Sequence, residues 1–96
     1  MIIAQVKFPR ADPISLEEAT KIFESTAPKY KGRQGLQKKI YTRSEDGMIV
    51  GALYFWDSRA DAEATYTQAW RDMVTTKYGT APEITFFDAP VVVDNG

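Results

Sequence analysis

No cysteine and no histidine occur among the 96 residues of this chain. Without cysteine there is no disulfide, thiolate nucleophile, zinc–thiolate site or iron–sulfur cluster. Without histidine, triads of the Ser-His-Asp kind, histidine-ligated haem and imidazole zinc sites are excluded too. Chemistry here must use carboxylates, Lys, Arg, Tyr, Trp, hydroxyls or backbone groups, which removes most hydrolase mechanisms. Lys38-Lys39 is the sole adjacent basic pair, and 12 basic against 13 acidic residues leave a net charge of −1. No phosphate-binding stripe is present, so nucleic acid is not an expected partner. No apolar run approaches the roughly 20 residues of a membrane helix. The start MIIAQVKFPR has no basic region ahead of its apolar one and reads as a strand, not a secretory signal. The expectation is no membrane partner and a cytoplasmic location.

What is present suits one globular domain spanning residues 1–96, with 44% hydrophobic and 26% charged residues. Ile2 to Phe8 alternates as a strand, with Ile2, Ala4, Val6 and Phe8 on one face and Gln5 and Lys7 on the other. Ser15-Leu16-Glu17-Glu18 is a capping box, and Leu16, Ala19, Ile22 and Phe23 follow at helical spacing. Pro28 ends or kinks that helix near Ala27. Lys31 to Gly35 is loop chemistry before a second strand, Leu36 to Arg43. Ser44-Glu45-Asp46-Gly47 is a tight turn that joins it to a third strand as a hairpin. Ser58 caps a second helix whose apolar face runs Ala62, Tyr66, Ala69, Trp70, Met73. Gly79 suits the position after its end. Glu83 to Asp88 is the fourth strand, and Val91-Val92-Val93 follows Pro90. The order β-α-β-β-α-β predicts an α+β fold, the ferredoxin-like antiparallel sheet with two helices on one face.

The third strand, GMIVGALYFWDS (Gly47–Ser58), breaks the rule that a surface strand alternates apolar with polar residues. Met48, Val50, Ala52, Tyr54 and Trp56 lie on one side, and Ile49, Leu53 and Phe55 on the other. Helices cover only one side. Leaving Ile49, Leu53, Phe55 and Phe87 in water forfeits on the order of 1.5–3 kcal/mol each and exposes a patch that monomers rarely carry. The simplest cover is a second copy of the same sheet around a two-fold axis. A homodimer is therefore expected, with the tail at about 89–96 placed to exchange onto the partner's edge. Gln5, Lys7 and the neighbourhood of Tyr41 bring polar groups toward that second face, where a solvated rim accounts for them.

The runs APKYKGRQGLQKKIY (Ala27–Tyr41), EDGMIVGALYFWDSRADAEATYTQAW (Glu45–Trp70) and YGTAPEITFFDAPVVVDN (Tyr78–Asn95) resemble the YdhR-like monooxygenase family. That family sits in the dimeric α/β-barrel superfamily, alongside the antibiotic-biosynthesis monooxygenases. The resemblance implies a dimeric barrel and oxygenation of phenolic, enolic or polyketide-like compounds with no cofactor, neither metal nor flavin. Relatives in the superfamily also isomerise lactones. A non-catalytic dimer binding a small hydrophobic or aromatic ligand, or an isomerase of the same superfamily, is the alternative reading.

The candidate substrate-binding residues are aromatic, with one thioether. Phe23 comes from the first helix, Tyr66, Trp70 and Met73 from the second, and Tyr54 and Trp56 from the third strand. Together they form a slot for a flat ligand with a few hydrogen-bonding tips. Tyr30 and Tyr41 are candidates to gate its mouth. The same residue types at the same spacing also make an ordinary core, and Tyr41 also fits cross-strand packing. No catalytic residue is assigned. Asp57, beside the second helix's cap, is a weaker base candidate. Lys38-Lys39 reads as a solvated strand edge, and the carboxylate pairs Glu17-Glu18 and Glu45-Asp46 as cap and turn.

Overall fold

In a computed structural model describing residues 1–96, eight elements follow the expected order with two additions, a 3₁₀ turn and a pair of helices in place of the second one. They are β1 (Ile2–Pro9), α1 (Leu16–Thr26), a 3₁₀ turn (Ala27–Tyr30), β2 (Leu36–Arg43), β3 (Ile49–Trp56), α2 (Arg59–Thr65), α3 (Gln68–Tyr78) and β4 (Glu83–Asp88). The strands form one antiparallel sheet in the order β2-β3-β1-β4, with the helices on one face, as the ferredoxin-like arrangement requires.

Local chemistry explains where the elements begin and end. The Ser15 side chain accepts the Glu18 amide at 3.1 Å, and α1 stops at Thr26, where Pro28 forces the tighter 3₁₀ turn. Leu16, expected on the buried face, is 65% exposed; Ala19 is fully buried, while Ile22 and Phe23 are half-buried. Ser58 caps α2 through the Asp61 amide. At the end of α3, Gly79 sits at φ 78°, a left-handed position that costs a glycine nothing.

The single second helix expected from the sequence is two helices. The chain leaves the helix at Tyr66 (ψ 51°), and Thr67 caps a new one by accepting the Trp70 amide at 3.2 Å. The buried side chains Ala62, Tyr66, Trp70 and Val74 explain the break. They are spaced by four, so on an unbroken helix the line would drift by about 120° over its length. Resetting the phase at Tyr66–Thr67 keeps all four on the sheet. Val74 therefore takes the buried place assigned to Met73, which is 38% exposed, and Ala69 faces out.

Pairing fixes the two faces of the sheet. Toward the helices point Ala4, Val6 and Phe8 of β1 and Val50, Ala52, Tyr54 and Trp56 of β3, all buried. On the other side, Phe55 opposes Ile3 and Lys38, and Leu53 opposes Gln5 and Ile40. In the single chain Ile40, Ile49 and Phe87 are 39–48% exposed on that side. Gly51 is the close approach in the β1–β3 pair, where a Cβ would collide with the Val6 carbonyl oxygen. A β-bulge between Leu36 and Lys38 shifts the register of β2 against β3. Below the bulge Lys39 pairs with Tyr54 and Tyr41 with Ala52, so both point toward the helices. Tyr41 is thus absent from the second face, where its polarity was expected. The tail after Asp88 has no regular structure, and Val91, Val92 and Val93 are largely exposed. No helix is long and apolar enough to cross a membrane.

Candidate functional site

A slot opens between the sheet and α3, closed at one end by the 3₁₀ turn. Its floor is Val6, Phe8, Ala52 and Tyr54 from the two central strands; its walls are Trp70, Met73, Val74 and Tyr78 from α3. Tyr30, from the turn, and Lys39 and Tyr41, from β2, complete it. The volume is about 420 Å³ counting the open mouth. The interior is narrow, and as it stands the space holds only about two water molecules (~10–15 Å³ each,).

The aromatic side chains form one connected network around this slot. The Trp70 indole N–H donates to the Tyr30 hydroxyl at 3.0 Å, which ties the turn to α3. Tyr30 meets Tyr54 edge-on at 5.8 Å between centroids, and Phe8 stacks on Tyr78 at 4.2 Å. Thr26 Oγ1 donates to the Phe23 carbonyl, so the 2.7 Å contact between Thr26 and Tyr41 carries the phenol proton of Tyr41. Behind Tyr54 lies a second group without an opening. There the Trp56 indole N–H donates to the Tyr66 hydroxyl at 3.0 Å, both side chains being buried. Phe86 packs against Tyr66 on the same side.

Of the eight candidate binding residues, Tyr30, Tyr41, Tyr54, Trp70 and Met73 line the slot. Phe23 stacks behind Tyr41 at 4.8 Å. Trp56 and Tyr66 stand behind Tyr54 and support it without reaching the opening. Asp57 is exposed, accepts a hydrogen bond from Gln37 and lies outside the slot. No three carboxylates come together anywhere in the chain.

Lys39 also departs from expectation, and it bears most on the site. Instead of lying at a solvated edge, its ammonium sits 3.5 Å from the ring centroid of Tyr30, 4.0 Å from Tyr41 and 4.5 Å from Tyr54. Adjacent residues on a strand point to opposite faces, so a pair of lysines cannot both be solvated by the same edge. Lys38 goes to the far face, over Phe55 at 5.0 Å. Lys39 goes in with Tyr41, two residues on. That shared parity was the signal available in the sequence. Burial pushes the Lys39 amine down to about 7 from its ordinary 10.5. The three ring faces are the compensation its charged form finds. Burial acts oppositely on the phenols: it raises Tyr41 and Tyr54, and pushes Tyr78 up to about 12. These tyrosines therefore stay protonated at neutral pH as hydrogen-bond donors, and Lys39 exchanges its proton there.

The same β-α-β-β-α-β architecture occurs in solved structures of monooxygenases. A provisionally named antibiotic biosynthesis monooxygenase from Deinococcus radiodurans is 13% identical over 98% of this chain and 97% of that one, with a TM-score of 0.70. The ActVA-Orf6 monooxygenase of Streptomyces coelicolor, in complex with nanaomycin D, is 16% identical, with a TM-score of 0.71, and covers 99% of this chain and 92% of its own. A provisionally named antibiotic biosynthesis monooxygenase from Caulobacter crescentus CB15 is 23% identical at a TM-score of 0.64, over 92% and 89% of the two chains. No protein-family model matches the sequence, and no curated protein sequence does. At such identities the likeness is one of fold: the chain has the ferredoxin-like fold of antibiotic-biosynthesis-monooxygenase proteins.

Proposed function

We propose that this chain is a homodimeric, cofactor-independent monooxygenase of the YdhR-like kind, acting in its slot on a small hydroxyaromatic or polyketide-like compound. The observation that carries this reading is the slot itself, an aromatic cleft with phenol tips and a lysine amine, Lys39, set among its rings. The neighbour from Streptomyces coelicolor supports it, because a protein of this fold and named a monooxygenase binds nanaomycin D. The chemistry suits the residues. An electron-rich phenol or enol, once deprotonated, passes an electron to O₂, and the two radicals recombine to a peroxide. Loss of water then leaves a carbonyl, R₂CH₂ + O₂ → R₂C=O + H₂O. The protein has to bind the compound dry, assist removal of its proton and stabilise the anion. A binder of the same compound needs aromatic walls alone, so the amine inside the slot favours the enzyme over the non-catalytic binding dimer.

The homodimer covers the helix-free face of the sheet, where Ile40, Ile49, Leu53, Phe55 and Phe87 meet their counterparts, and the tail at 89–96 pairs with the partner's edge. Sedimentation at micromolar concentration tests the assembly: wild type runs as a dimer and Leu53→Asp as a monomer. A folded wild-type monomer defeats it. The activity is tested with an oxygen electrode, anthrones, quinols and naphthols being supplied under chelated, flavin-free conditions. Uptake of one O₂ per substrate supports the monooxygenase. Tight binding of these compounds without uptake above buffer gives the site to the binding dimer instead.

A further inference from the structure

Given the slot proposed above, we infer that Lys39 is the residue that takes the hydroxyl proton of the bound phenol or enol and remains beside the resulting anion as its counter-cation. Three features of the molecule converge on it. The first is position. Lys39 stands in the partition between the slot and a shallower groove on its outer side, because Tyr30, Lys39 and Tyr41 line both. A ring entering from the groove meets the amine before the aromatic floor. The second is the lack of any competing partner. The titratable groups facing the slot are Lys29 and Tyr30 from the turn, Tyr41 from Lys39's own strand, Tyr54 from β3, and Lys77 and Tyr78 from α3. None is a carboxylate. Lys39 makes no ion pair, so its charge is compensated by ring faces and is free to pair with an incoming oxyanion.

The third feature is the local field. The chain as a whole carries −1, yet the slot and the groove are bordered by Lys29, Lys31, Lys38, Lys39 and Lys77 and by no acidic residue. An anionic ligand is favoured there, because all 13 acidic residues of the chain lie elsewhere. The proton step balances simply. The ligand's O–H bond breaks, an N–H bond forms on the uncharged Lys39 amine, and an ammonium–phenolate pair results. Burial leaves an appreciable share of the amine uncharged at neutral pH. The pair is then held within a few ångströms in a water-poor site, where opposite charges favour each other's ionised forms. Displacing the ammonium from its three rings toward the ligand's oxygen also widens a slot that is otherwise nearly full.

The test uses 4-nitrophenol, whose anion is coloured, titrated by visible absorbance from about pH 3.5 to 9 with saturating protein. With wild type the bound phenol should ionise about 1–3 units below the free dye, equivalent to the anion binding about 10- to 1,000-fold more tightly than the phenol. Lys39→Met, which replaces a half-buried amine with an apolar chain of similar length, should still bind the neutral dye and lose the shift. The surface variant Lys21→Met should keep it. Far-UV circular dichroism confirms that each variant is folded. A wild-type complex that ionises at the pH of free dye overturns the role of Lys39 while leaving the slot reading intact, as does a shift that survives in Lys39→Met. Failure of wild type to bind 4-nitrophenol or any naphthol overturns both.

Discussion

The aromatic cluster has two halves with nearly the same composition and opposite character. In one, Trp56 and Tyr66, both buried, satisfy each other through an indole-to-phenol hydrogen bond, with Phe86 alongside. In the other, Trp70 and Tyr30 make the same kind of bond at the same 3.0 Å, but Tyr41, Tyr54 and Lys39 leave a slot beside it. Tyr54 is the shared wall. Its ring lies nearly parallel to Trp56 on the sealed side and meets Tyr30 edge-on at the slot. What separates the halves is an amine. A half-buried lysine between slot and groove has no hydrogen-bond acceptor to close on, whereas an indole with one donor and a phenol to receive it packs closely.

The largest way to break this comparison is Trp56→Ala. It removes a fully buried side chain from the sealed half and should cost about 3–5 kcal/mol, read by urea denaturation, with ligand binding failing through loss of fold. The matching change on the open side, Lys39→Met, should act in the opposite direction. Because the folded-state pKa of Lys39, about 7, lies below its ordinary 10.5, the unfolded chain binds more protons between those values. Wild-type stability should therefore rise with pH from about 7 toward 10.5, by up to about 1.4 kcal/mol per unit, and carry the full penalty below 7. Lys39→Met should lack that rise and be more stable than wild type at pH 6, by roughly 2–4 kcal/mol. Parallel pH–stability curves for the two proteins would refute the burial argument.

A finer contrast comes from the two hydrogen bonds. Tyr66→Phe leaves the buried Trp56 N–H without an acceptor and should cost about 1–3 kcal/mol. Tyr30→Phe leaves the Trp70 N–H next to the slot, where water can reach it. The loss there should be smaller, about 0.5–1.5 kcal/mol, with a larger effect on affinity for a hydroxyaromatic probe than Tyr66→Phe has. Equal stability losses without any difference in binding would mean that the two halves are both simply core.

Much of this was legible from residue order. Capping by Ser15 and Ser58, the turn at Gly47 and the doubly apolar β3 dictate the β-α-β-β-α-β frame, because each acts through neighbours in the chain. The break at Tyr66–Thr67 was hidden. Ala62 to Val74 looks continuous to a helical period, and only the need to keep four residues on one flat sheet interrupts it. The slot was half visible. Tyr30, Tyr41, Tyr54, Trp70 and Met73 are residue types that line pockets, yet Phe23, Trp56 and Tyr66 have the same chemistry and stand behind it. Which of them faces space depends on distant packing. Lys39 was missed for a different reason: charge suggested solvent, whereas strand parity with Tyr41 pointed inward, and parity prevailed.

The distinction between a sealed half and an ionisable half is tested most directly by the Lys39 amine itself. Lysine side-chain resonances followed by ¹³C and ¹⁵N NMR across pH 5 to 11, with Lys39→Met supplying the assignment, report its titration site by site. An inflection near 7 is expected for Lys39. An inflection at the ordinary 10.5, with the other lysines, would contradict it and return Lys39 to the surface.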